Sequence, residues 1–133
     1  MRHILAILFA VLFAVTAEAA EKTTFAAKIG PDGVQRVDIL AGRYYFTPNH
    51  IILKVKVPAE VSIRKEPEIV PHSFVIQAPE AGMDIHESLS AEAKVVKFTP
   101  TRTGSYPFFC DRKLLFLPSH RQEGMEGTIE VTE

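Results

Sequence analysis

Four side chains in the second half of this sequence could together hold a soft metal. Cys110, His120 and Met125 follow one another near the C-terminus, and His72 lies 38 positions upstream of the cysteine. They offer one thiolate, two imidazoles and one thioether. Thiolate is soft and suits reduced copper, imidazole suits both oxidation states, and a weak axial thioether favours the reduced form, so the set fits one-electron chemistry at a single copper. Cys110 is the chain's only cysteine. A disulfide within the chain is excluded, and the thiol needs another role.

Other roles for these residues fit the pattern less well. A buried, inert thiol is ordinary for a free cysteine, but it leaves the histidine and methionine that follow unexplained. A nucleophilic cysteine paired with His72 or His120 leaves Met125 unexplained. A binuclear copper centre would need a second cysteine, and zinc sites are built from Cys, His, Asp and Glu rather than Met. His50 and His86 have no set of ligand-type residues spaced around them and read as surface residues. Met83 and His86 are the one pair that could form a weak second copper site. Asp111 and Glu123 flank the ligand loop, and either could replace Met125 as a hard axial ligand, giving a red rather than a blue site.

The N-terminus bears on the thiol. Arg2 and His3 precede an unbroken apolar run from Ile4 to Val15, followed by Ala17-Glu18-Ala19. This is the order of a secretory signal, and the run falls short of the roughly 20 residues that span a bilayer. Residues 1–19 are therefore expected to be a signal peptide and 20–133 the mature domain, periplasmic and without a membrane span after cleavage. In an oxidising compartment a lone thiol is open to oxidation unless something guards it. Net charge is −1 for the whole chain, and removing Arg2 and Glu18 leaves it unchanged. Without a basic patch, nucleic acid is not an expected partner.

The elements that must position the four donors read as strands. Val34–Leu40 follows the turn Gly30-Pro31-Asp32-Gly33. Ile51, Leu53, Val55 and Val57 alternate with more polar neighbours, the period of a half-buried strand. Val61–Ile63, Ser73–Gln77, Lys94–Thr99, Ser105–Cys110 and Gly127–Thr132 continue the pattern. The spacing predicts an all-β, antiparallel sandwich of seven to eight short strands. Only Pro79–Ala93 breaks the rhythm and could hold a helical turn. Tyr106, Phe108 and Cys110 share one face of a strand, so the sulfur should point inward at one end of the sandwich.

Four segments then carry a family resemblance: Phe46-Thr47-Pro48-Asn49-His50-Ile51, Pro71-His72-Ser73-Phe74, Thr103-Gly104-Ser105-Tyr106-Pro107-Phe108-Phe109-Cys110, and His120 followed by Met125, Gly127 and Ile129. In this order the chain resembles the cupredoxins, the small type 1 blue-copper proteins of the plastocyanin and azurin kind. The resemblance covers nearly all of residues 20–133. It implies a Greek-key sandwich binding one copper per chain, with His72, Cys110 and His120 in a trigonal plane and Met125 axial. It also implies that the Ser73 backbone N–H bonds the cysteine sulfur. The chain departs from the family between cysteine and second histidine, where small electron carriers have two to four residues and this chain has nine, Asp111 to Ser119. That loop carries Leu114, Leu115, Phe116 and Leu117, which could fold over the metal or form an apolar docking patch for redox partner proteins. The expected function is electron transfer without substrate chemistry. Copper delivery, or a small copper enzyme with an open or red-type site, are the alternatives.

Overall fold

The computed structural model describes residues 20–133, so the signal-peptide reading of residues 1–19 lies outside the described residues. Ten strands follow in order: β1 (Thr24–Ala26), β2 (Gln35–Gly42), β3 (Tyr45–Thr47), β4 (His50–Lys54), β5 (Ala59–Lys65), β6 (Ser73–Ala78), β7 (Met83–Ser88), β8 (Lys94–Phe98), β9 (Gly104–Phe109) and β10 (Glu126–Thr132). They form two sheets, one ordered β1-β4-β10-β9-β6-β7 and the other β3-β2-β5-β8. This is the expected all-β sandwich. No helix among the described residues is long and apolar enough to cross a membrane.

Period-two alternation builds the layers, because successive side chains on a strand point to opposite faces. In β5, Ala59, Val61 and Ile63 are buried while Glu60 and Ser62 face outward. In β4, Ile51 and Leu53 point into the core. Three rings bridge the sheets below one pole. Phe46 of β3 meets Phe108 of β9 and Phe74 of β6 at centroid distances of 5.2 and 6.0 Å, and Phe74 and Phe108 lie 5.3 Å apart. Edge and tilted contacts of this kind add to the burial of large apolar surface. Gly127 lets β10 approach this group, since a Cβ there would stand 2.3 Å from the Phe108 ring and 2.5 Å from the Asn49 carbonyl.

Three details correct the sequence reading. The sheets are mixed rather than antiparallel throughout, with parallel pairs β1–β4, β4–β10 and β2–β5. Parallel neighbours need a crossover; between β2 and β5 the chain passes into the other sheet as β4 and returns. The strand expected from Ile51 through Val57 ends at Lys54, where a turn with Lys56 at φ +61° intervenes. The segment Pro79–Ala93 holds the anticipated helical turn, a single 3-10 turn at Pro79–Ala81, and then the extra strand β7. Gly82 links the two at φ +77°, where a Cβ would meet the Thr99 carbonyl at 2.5 Å.

Gln35 ties the sheets together away from the pole. It is fully buried, and its amide donates to the carbonyls of Lys54 and Val57 at 2.8 and 2.9 Å while accepting the Lys54 N–H at 2.8 Å. A buried amide with its groups paired costs little, and it fixes the end of β4 against β2.

Candidate metal centre

Strand register brings the first two predicted donors together. β6 and β9 are antiparallel neighbours, with Val75 opposite Phe109 and Ile76 opposite Phe108. His72 immediately precedes β6 and Cys110 immediately follows β9, so both emerge at the same pole. The loop from Asp111 brings the other two. His120 N–H donates to the Arg112 carbonyl at 2.9 Å, Met125 N–H to the His120 carbonyl at 2.9 Å, and Cys110 N–H to the Met125 carbonyl at 3.1 Å. The long loop is thus closed at its base by its own backbone.

All four predicted donors are buried: His72 is 1% exposed, Cys110 0%, His120 4% and Met125 0%. The donor atoms of His72, Cys110 and His120 lie within 4.8 Å of one another, and no other such group of three His, Cys, Asp or Glu side chains occurs among the described residues. The His120 Nδ1 is 3.5 Å from the cysteine sulfur, and the two imidazole centroids are 5.2 Å apart. His72 Nδ1 is buried without a hydrogen-bond partner. Such an orphan is costly unless a ligand satisfies it. A soft sulfur and two imidazole nitrogens, one from a histidine whose buried Nδ1 is an orphan, fit a copper ion.

The surroundings shift the donors in different directions: toward the deprotonated form for Cys110 and His120, and toward the protonated form for His72. The Ser73 N–H donates to the cysteine sulfur at 3.4 Å, as the family resemblance implied, and the Ser73 hydroxyl lies 3.6 Å from it. Burial alone would raise the Cys110 thiol pKa, but His72, these Ser73 groups and the Arg112 N–H together bring it below the usual value. Burial also works to lower the His72 pKa, yet the cysteine sulfur and the Glu68 carboxylate outweigh it and the net shift is upward. His120 is shifted down, first by burial and then by the charge of His72.

The other candidate residues fall elsewhere. His50 is paired on both ring nitrogens, with Glu130 at 2.9 Å and Thr24 at 3.1 Å. His86 is exposed and faces Asp111 at 2.9 Å. Met83 is buried, and His86 is on the outer face of the same strand, so the two do not form a second site. The Asp111 carboxylate is engaged by His86 and by the Ser73 hydroxyl, which donates to it at 2.6 Å. Glu123 is exposed. Leu114, Leu115, Phe116 and Leu117 project outward rather than covering the donors, with Phe116 88% exposed.

Two neighbours have no counterpart in the sequence reading. Glu68 accepts from His72 Nε2 at 2.6 Å. Tyr44, at φ +66° in the tight β2–β3 turn, sets its ring edge-on to His120 at 5.1 Å. Glu68 lies in a loop without periodicity, and Tyr44 is far from His120 along the chain, so neither leaves a local signal.

A cupredoxin-like domain model matches residues 3–129. No curated protein matches the chain. Among solved structures, a copper binding protein determined in its apo form by NMR is 26% identical, with a TM-score of 0.61, covering 83% of this chain and 98% of that one. The metal-binding domain of a Cu(I)-exporting P-type ATPase from Streptococcus pneumoniae D39, solved with Cu(I), is 24% identical with a TM-score of 0.64, covering 85% and 99%. Reduced auracyanin from the photosynthetic bacterium Roseiflexus castenholzii is 17% identical with a TM-score of 0.58, covering 74% and 97%.

Proposed function

The chain belongs to the cupredoxin-like family, and on that premise we propose that it is an exported, periplasmic copper protein that passes single electrons between redox partners. His72, Cys110 and His120 would hold one copper, with Met125 as the fourth donor. Bound there, copper supplies a one-electron couple between its two oxidation states. The chain's own residues do the rest. The Ser73 N–H stabilises the thiolate, the buried pole excludes water, and the closed base of the loop limits rearrangement. On this reading four protein donors leave no position for a substrate, so the chain is not an enzyme. The apolar tip Leu114–Leu117 meets the partner, since exposed apolar patches mark contact sites and redox encounters use small ones.

The observation that carries the reading is the convergence of three donor atoms within 4.8 Å around a buried, unpartnered His72 Nδ1. The test is to load the protein with Cu(II) and record its visible spectrum. A strong thiolate-to-copper band is expected; a colourless complex, or binding of Cu(I) only, would sink the proposal. The likeness to a copper binding protein at 26% identity supports a second reading, copper delivery. It is favoured if the bound copper passes readily to a competing chelator while electron exchange stays slow. A spectrum altered by added azide would instead indicate an open coordination position.

A further inference from the structure

Histidine–carboxylate pairs occur three times among the described residues, and they are not alike. His50 has Glu130 on one nitrogen and Thr24 on the other, which is a satisfied structural histidine. His86 and Asp111 meet with both side chains well exposed. His72 alone is held by a carboxylate on one nitrogen while the other is buried and bare.

We propose that Glu68 is the positioning residue of this centre: by accepting a hydrogen bond from His72 Nε2–H it fixes the tautomer that leaves Nδ1 free to coordinate, and its negative charge favours the more highly charged state of a bound ion. The 2.6 Å separation is that of a short, charge-assisted bond. The His72 side chain is fully buried and that of Glu68 is 22% exposed, so water screens the pair weakly. Glu68 is placed by its own loop rather than by the histidine. The Lys65 ammonium donates to the backbone carbonyls of Glu68 and Val70, the Glu66 N–H donates to the Ala41 carbonyl at 2.9 Å, and Tyr45 OH donates to the Glu66 carboxylate at 2.7 Å. On the other side the Leu89 N–H donates to the His72 carbonyl at 3.0 Å. A carboxylate held this way restricts the ring and raises the basicity of the coordinating nitrogen.

The inference rests on the copper reading, and its test separates the two. The first measurement needs neither copper nor a variant: nitrogen-15 NMR of the copper-free protein at a pH where His72 is neutral. The proton is expected on Nε2 with Nδ1 bare, and a proton on Nδ1 overturns the proposal. The second measurement compares Cu(I) and Cu(II) affinities and the reduction potential of wild type and Glu68→Gln, which keeps an oxygen acceptor but removes the charge. Loss of such a partner typically costs 10- to 100-fold in metal affinity. Here Cu(II) affinity should fall at least tenfold more than Cu(I) affinity, raising the potential by about 59 mV per tenfold difference. Equal losses for both oxidation states, or an affinity ratio within about twofold of wild type, overturn the proposal. If wild-type protein gives no coloured Cu(II) complex, the copper reading fails while the tautomer result stands.

Discussion

Ser73→Ala removes the two hydroxyl bonds that anchor the ligand loop to the sandwich, together with a hydroxyl 3.6 Å from the Cys110 sulfur. The Ser73 hydroxyl donates to Asp111 Oδ1 at 2.6 Å and accepts the Asp111 N–H at 3.0 Å. Ser73 itself is fully buried. A hydrogen bond to a charged group contributes about 1.5–3 kcal/mol and a neutral one about 1. The Asp111 side chain is 38% exposed, so water takes over part of the first contribution. The expected loss is therefore about 2 kcal/mol, somewhat below the roughly 2.5 kcal/mol low end of the sum of the two bonds. With a urea m-value of about 2 kcal/mol/M for a small domain, the unfolding midpoint of the copper-free protein should fall by about 1 M. A double-mutant cycle with Asp111→Ala should give a coupling of about 1–2 kcal/mol, as for residues in direct contact. The Ser73 N–H is untouched, so the thiolate-to-copper band should survive. A destabilisation below about 0.5 kcal/mol, or strict additivity in the cycle, would refute the reasoning.

Met125→Leu should retain copper and raise the reduction potential, because a thioether favours the reduced form only relative to harder donors and still stabilises Cu(II) more than the hydrocarbon that replaces it, and should cost less than about 1.5 kcal/mol as a near-isosteric core exchange; voltammetry showing an unchanged potential argues that Met125 is not a ligand. Replacing Leu115 and Phe116 together by Ser should change stability by no more than about 0.5 kcal/mol, as for exposed sites, while slowing electron exchange with the partner in stopped-flow measurements; an unchanged rate moves the contact elsewhere. The Asp32 carboxyl, bonded by Arg36, is lowered to about 2 from 3.8. A depressed value means the Asp32–Arg36 pair supports the fold above the unfolded pKa and is lost as pH falls through about 2. NMR titration should find that midpoint, and molar salt should move it back toward 3.8 because both side chains are about half exposed to solvent; a midpoint indifferent to salt contradicts the assignment.

The candidate donors His72, Cys110 and His120, which the structure brings together, stood out in the sequence because such types are scarce and ordered: one cysteine in the whole chain, then histidine and methionine before a terminal strand. The strand content was legible because alternation is local. What escaped was set by distance along the chain. Parallel pairing of β2 with β5 depends on a crossover through the opposite sheet, which period-two alternation does not encode. The strand β7 alternates faithfully, Met83 and Ile85 inward, Asp84 and His86 outward, but the breaks around it made the whole of Pro79–Ala93 read as irregular. Glu68 and Tyr44 reach the two histidines through loops whose placement depends on Lys65 and on the β2–β3 turn.

The base of the ligand loop also bears on how this protein can be altered. Cys110, Arg112, His120 and Met125 are laced together by backbone bonds, and the residues between Arg112 and His120 hang beyond that lacing, with Leu114 to Leu117 outside the core. The tip is thereby insulated from the donors, and exposed loop tips are where insertions and replacements are best tolerated. Segments of different length or polarity exchanged at residues 113–118 should therefore leave the backbone bonds around Cys110, His120 and Met125 in place.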